Sequence, residues 1–180
     1  MSNFKTKFAI QFILGSLIMG IIFGLIGNIA TGVLYNVIKP EGTGVCYIIT
    51  ITSYVFDAIA VIFAVLISQN TLKKKSYDNY PDSPMKFYLI LAGIVTAVSV
   101  LWSIIFYPAI YNTCVENLDT LEMTLNLDSD KFATTDSVVD EVKRLAKTAV
   151  RNAEIIGNIV FAAIAFLMAP VYAKRHENFF

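Results

Sequence analysis

The chain has 180 residues, of which 56% are hydrophobic and only 16% charged, and its formal net charge is +0 at pH 7. Soluble domains usually carry about 25% charged residues, so this composition argues against an ordinary water-soluble domain and indicates a lipid bilayer. The balanced charge provides no basic field for nucleic acid. Two cysteines and one histidine are too few for a zinc-site pattern, so we expect no metal and no cofactor.

The first apolar stretch covers residues 8–36 and contains no charged residue. A helix needs roughly 20 apolar residues to cross a hydrocarbon core about 30 Å thick, whereas the apolar region of a cleaved signal peptide has only about 7–15 residues. We therefore expect a retained transmembrane helix. Within it, Gly20 and Gly24 form a small-xxx-small pair that lets another helix approach closely, either from the same chain or from another subunit.

The second apolar stretch covers residues 46–68 and is interrupted by one acid, Asp57. The helical rise of about 1.5 Å per residue places Asp57 near the bilayer midplane, where a charged group is costly and indicates a functional site. Thr96 and Ser99 of the third stretch are expected at a similar depth. These three residues are a candidate proton or cation site. The alternative is a structural role for Asp57, either in a hydrogen bond between helices or as an acid that faces a wet crevice.

Residues 70–86 form a polar loop with a lysine run and two prolines, and the positive-inside rule predicts that this loop is cytoplasmic. The side that holds this loop and both chain ends carries eight basic and three acidic residues. The opposite side carries six basic and ten acidic residues, and Glu154 is counted among the latter. We therefore expect a plasma-membrane protein with both termini in the cytoplasm.

The third apolar stretch covers residues 87–110, the fourth covers residues 155–172, and residues 112–152 lie between them. The two helices are expected to continue into this segment as an extracytoplasmic helical hairpin. On the fourth helix, apolar residues recur at a heptad-like spacing. This predicted seam consists of Val138, Val142, Leu145, Ala149 and Ile156, with Ala153 between.

An antiparallel hairpin brings Asp119 near Lys143 and Glu116 near Lys147. Each exposed ion pair contributes only about 0–1 kcal/mol. The charges therefore select the register, while the apolar seam provides the stability.

Cys46 and Cys114 are both expected at the outer membrane surface, where an oxidising exterior permits a disulfide. Two thiols are the alternative. The only histidine, His176, follows the last span among charged residues and is expected to lie far from Asp57 and both cysteines. The sequence has no phosphate-binding glycine loop, HExxH or GxSxG motif. We therefore expect a protein that is not an enzyme.

The predicted fold is all-α: an antiparallel four-helix transmembrane bundle whose third and fourth helices extend into the hairpin. The leading hypothesis is an accessory or interaction subunit whose hairpin contacts a membrane or extracytoplasmic protein, or a second copy of the chain. The alternative is a small oligomeric transporter or channel that uses Asp57.

Overall fold

The computed structural model describes residues 3–39, 43–73, 81–124 and 135–179, with side chains for all of these except residues 114–124, 135–142 and 179. The described residues form four α-helices and no strand. Each helix is long and apolar enough to cross a membrane, which confirms the prediction of an all-helical chain with four such helices. The helices are α1 (Phe4–Ile38), α2 (Gly44–Leu72), α3 (Pro84–Thr124) and α4 (Thr135–Phe179).

Polar residues set both ends of α1. The side chain of Asn3 accepts a hydrogen bond from the backbone N–H of Lys5 at 3.0 Å, which satisfies one of the N–H groups that the first turn of a helix leaves without a partner. At the other end, Lys39 has a left-handed backbone with φ 47°. Its N–H donates to the carbonyl oxygen of Tyr35 at 2.9 Å. A left-handed residue at this position stops the helix.

Helix α2 is central to the fold. Helix α1 packs along one side of it and α4 along the other, while α3 packs mainly along α4. Contacts between α1 and α2 pair the two helices in opposite order, since Gly15 faces Ala64 and Gly27 faces Phe56. Helix α1 joins α2, α3 and α4 in a core cluster at its start, through Phe4 and Phe8, and packs mainly against α2 along the rest of its length.

Two buried glycines allow α1 to approach α2 closely. A Cβ atom at Gly15 would lie 3.4 Å from the Ala64 Cα, and one at Gly27 would lie 3.3 Å from the Phe56 side chain. A Cβ atom at Gly20 or Gly24 would meet no atom within 4 Å. The described contact between α1 and α2 therefore uses Gly15 and Gly27. Contact of Gly20 and Gly24 with another molecule stays a prediction.

Aromatic rings anchor α1 at the end of the fold that carries both chain termini. Phe4 is 0% and Phe8 is 2% exposed. The Phe4 ring lies 5.2 Å from the His176 ring, and the Phe8 ring lies 5.2 Å from the Phe87 ring. Much of the rest of α1 is exposed, with Ile29 reaching 70%. In a membrane this surface contacts lipid or another apolar helix.

The buried face of α4 differs from the predicted seam. Ala149 and Ala153 are buried as expected, but Leu145 is 47% and Ile156 is 41% exposed, so the prediction was wrong for these two residues. The side chains of Val138 and Val142 lie outside the described residues. The helices approach closely, and a close approach favours small side chains over large ones. The buried face in this region consists of Ala146, Ala149, Val150, Ala153, Glu154 and Gly157.

Two sets of predicted contacts fall outside the described residues. The hairpin ion pairs Asp119–Lys143 and Glu116–Lys147 depend on acidic side chains in the range 114–124. The Cys46–Cys114 disulfide depends on a side chain in the same range. The described partner, Cys46, is 0% exposed and packs within an apolar cluster against α4. All three pairings stay predictions.

The first prediction concerns the glycine contacts. Gly15→Leu should lower the free energy of unfolding by about 1–3 kcal/mol, because the added side chain would push against the α2 backbone. The measurement is a denaturing-detergent titration of purified protein. Gly24→Leu is the matched control and should cause no loss, since its Cβ position is open. Equal destabilisation by both variants would contradict the packing described here.

Candidate functional site

The most unusual buried residue is an acid, Glu154, at the point where α4 enters its apolar stretch. Sequence reasoning counted Glu154 among the outer charges, yet its side chain is 6% exposed and turns towards α2. Its Oε2 atom accepts a hydrogen bond from the Tyr54 hydroxyl at 2.5 Å. Its Oε1 atom is shielded from solvent and has no hydrogen-bond partner among the described residues.

Asn158, one turn further along α4, links this acid to α3. Its Nδ2 atom lies 2.9 Å from the Tyr54 hydroxyl and 3.2 Å from Ser103 Oγ, and its Oδ1 atom accepts from Ser99 Oγ at 3.1 Å. The hydrogen bonds therefore run from α3 through α4 to α2. We call this group the Glu154 cluster; it consists of Tyr54, Ser99, Ser103, Glu154 and Asn158.

Gly157 allows Tyr54 to reach the cluster. The Tyr54 ring lies so close to the Gly157 backbone that any Cβ atom there would overlap the ring. Tyr54 itself is 7% exposed and packs with Ala58 and Phe161 in an apolar cluster. The absence of a side chain at Gly157 therefore positions the phenol, and the phenol in turn reaches the carboxyl group.

A groove of about 530 Å³ between α3 and α4 borders the cluster. Glu154, Asn158 and Ser103 lie along it, and the exposed residue Arg151 lies one turn before Glu154. Apolar side chains form most of the wall. The remaining lining residues are Val100, Ile104, Tyr107, Ile155 and Ile159.

The predicted intramembrane residues do not form one site in the described part of the chain. Asp57 is exposed on α2. Ser99 bonds to Asn158 instead. The Oγ1 atom of Thr96 is buried without a hydrogen-bond partner among the described residues. Of the three candidates, only Ser99 belongs to the Glu154 cluster.

A second polar cluster lies at the end that carries the chain termini. The Nε2 atom of Gln69 donates to the Tyr88 hydroxyl at 2.8 Å and to the backbone carbonyl of Tyr172 at 2.9 Å. The Tyr88 hydroxyl lies 3.2 Å from His176 Nδ1. Sequence reasoning placed His176 in a charged tail, but the side chain is 3% exposed. It is part of the packed core because α4 continues through it.

An apolar layer separates the two polar clusters. The cavity in this layer has a volume of about 20 Å³ and is lined mainly by aliphatic side chains, with Tyr88 and Tyr172 at one end. A single water molecule needs roughly 10–15 Å³ and two to four polar partners, so this space holds one water at most. The described residues therefore contain no continuous polar route from one cluster to the other.

The chemistry available in the Glu154 cluster is limited to one carboxyl group, one amide and three hydroxyls. No group of three or more His, Cys, Asp or Glu side chains that could hold a metal ion occurs among the described residues. Such a cluster can exchange a proton or hold a polar ligand.

Comparison with family models, with curated proteins and with solved structures found no match for this chain. Any functional assignment therefore depends on the geometry of its own residues.

One sequence signal pointed to the Glu154 cluster. Ala146, Ala149, Ala153 and Gly157 are small residues at helical spacing, which is typical of a face that packs closely against another helix. Glu154 follows directly after Ala153 and therefore lies at the edge of that face. The predicted seam shares Ala149 and Ala153 with this face but also includes Leu145 and Ile156, which are exposed.

The second prediction concerns the Tyr54 hydroxyl. Tyr54→Phe should lower the free energy of unfolding by about 1–3 kcal/mol, because buried groups on Glu154 and Asn158 lose their partner. Detergent unfolding of the purified protein measures this loss. Tyr35→Phe is the control, since Tyr35 lies on α1 outside the cluster. A Tyr54→Phe variant as stable as the control would show that the bond contributes little.

Proposed function

We propose that this chain is a non-enzymatic plasma-membrane protein with four antiparallel spans and cytoplasmic termini, and that it acts as an accessory subunit through its α3–α4 hairpin. The charge distribution supports this orientation, because basic residues near helix ends mark the cytoplasmic side. Basic residues at the end with the termini are Lys5, Lys7, Lys73, Lys86, Lys174 and Arg175.

The length of α3 and α4 is the main support for a projecting hairpin. Helix α3 continues to Thr124, about 21 Å beyond Ile110 at 1.5 Å per residue. Helix α4 begins at Thr135, about 30 Å before its apolar stretch starts at Ile155. These extensions carry many charged residues and are too polar to lie in the hydrocarbon core of a bilayer. An element of this size that projects into water is suited to contact another protein.

A packed base supports the proposed hairpin. Cys46 at the start of α2 packs with Ala146, Ala149 and Val150 of α4. Aromatic side chains of α2 and α3 surround this cluster, and the Tyr107 hydroxyl donates to the carbonyl oxygen of Lys147 at 3.3 Å. Three helices therefore hold the base of the proposed hairpin. A fixed base would orient the rest of the hairpin, so that little conformational entropy is lost when a partner binds.

Exposed basic side chains on α4 are the proposed face for recognition of a partner protein. Lys143, Lys147 and Arg151 recur every four residues and are all exposed, so they lie along one side of the helix. Charges of this kind steer association and choose between partners more than they add affinity. Lys143 and Lys147 are also the predicted partners of Asp119 and Glu116, so the acidic surface of a membrane or extracytoplasmic protein would compete with the ion pairs inside the hairpin. A second copy of the chain is the other candidate.

The third prediction tests the orientation. A C-terminal epitope tag should be protected in intact cells, while a tag inserted within residues 126–130 should be accessible from outside. Antibody binding before and after membrane permeabilisation measures both. Surface binding to the C-terminal tag would reverse the proposed topology.

The fourth prediction tests the hairpin. Deletion of residues 119–143 should abolish a cross-linked complex in native membranes while membrane insertion is retained, because the proposed contact surface is removed. Cross-linking followed by mass spectrometry identifies the partner, and reciprocal purification checks it. The matched control is a deletion of residues 76–79 from the other side of the membrane, which should retain the complex. The same complex in both variants would contradict a role for the hairpin.

A further inference from the structure

We propose that Glu154 is a reversible proton-binding site of this membrane protein, reached through the groove between α3 and α4. The site is independent of the proposed partner function. The ligand is the proton itself, which would bind to the carboxyl oxygen that has no partner.

The first support is the unequal environment of the two carboxyl oxygens. Oε2 accepts from Tyr54, whereas Oε1 is shielded and has no hydrogen-bond partner in the described part of the chain. Burying a carboxylate without a compensating charge is costly. The bond to Tyr54 and the nearby Ser103 hydroxyl reduce this cost, but no positive charge among the described residues offsets it.

The groups that face Glu154 carry no positive charge in direct contact with it. Helix α2 presents the Tyr54 phenol, and α3 presents Ser103 and Tyr107 along the shared groove. The nearest basic residue along α4 is Arg151, which is exposed. No basic side chain hydrogen-bonds to the carboxyl group among the described residues. A ligand with one positive charge is therefore needed to neutralise the Glu154 carboxylate.

The space around Oε1 favours a proton over a metal cation. A metal cation needs several oxygen ligands arranged around it, and Oε1 is too enclosed for contact with even a water-sized sphere. The described residues offer no group of three or more acidic or metal-binding side chains. A proton needs no such space, and the adjoining groove, which Glu154 shares with the exposed Arg151, is the proposed route of its exchange with water.

Both protonation states leave one group unsatisfied, which makes the site sensitive to its surroundings. Without the proton, the carboxylate carries an uncompensated charge but accepts a charge-assisted bond from Tyr54. With the proton on Oε1, the charge is removed but the new O–H donor has no acceptor in full hydrogen-bond geometry, so the side chain shifts towards Ser103, which lies close to it. Because Tyr54 lies against Gly157, such a movement would alter the contact between α2 and α4.

The fifth prediction tests this site by infrared difference spectroscopy of the full-length protein in lipid nanodiscs during a pH titration. The carbonyl band of a buried, protonated carboxyl group should disappear as the pH rises and return when it falls. Glu154→Gln should remove this band because the amide cannot titrate. Asp57→Asn, the matched control at the exposed acid, should retain it.

Three results would overturn the proposal. They are a band that never titrates, a band that persists in Glu154→Gln, and a midpoint that shifts when sodium replaces choline at equal ionic strength. The last result would indicate a metal cation site instead. Should Glu154→Gln fail to fold, wild-type protein with isotope-labelled glutamate provides the same test, since the label shifts the glutamate carbonyl band away from that of Asp57.

Discussion

A polar side chain inside a bilayer has no water to bond to, so it must find its partner on another helix. The fold depends on two such partnerships, both between α2 and α4. Tyr54 bonds to Glu154 at one height and Gln69 bonds to the backbone of Tyr172 at another. Two fixed points on a pair of rigid helices define their relative rotation and register. Helix α3 then joins each point through its own hydroxyl groups.

Apolar packing adds to these polar contacts, and the four helices share in it unequally. All four helices contribute to the core at the end with the termini, where Phe4 and Phe8 of α1 are buried, whereas the rest of α1 packs mainly against α2, closely at two glycines. Lipid is as apolar as leucine, so burial alone provides little force between helices in a membrane. Close approach at Gly15 and Gly27 supplies dispersion contacts instead. The exposed face of α1 is consistent with a lipid-facing helix.

The two proposals for this protein concern different regions and can fail separately. The accessory role depends on the parts of α3 and α4 that continue past their apolar stretches. The proton site depends on the Glu154 cluster within the packed helices. They meet at the base of the proposed hairpin, where Val150 and Ala153 are buried next to Glu154 in the chain. A movement of Glu154 would therefore occur beside the element that is proposed to contact a partner.

Hydropathy alone determined that this chain forms four helices able to cross a membrane, because each apolar stretch is long enough and almost free of charge. Which acid is buried within the fold was decided only by tertiary structure. Asp57 lies in the middle of an apolar stretch, where a site is predicted, but it is exposed, while Glu154 at the edge of another stretch is buried. The sequence shows how far along an apolar stretch a residue lies. The direction in which a side chain points depends on which neighbours come close, and here Gly157 and the alanines of α4 set that distance.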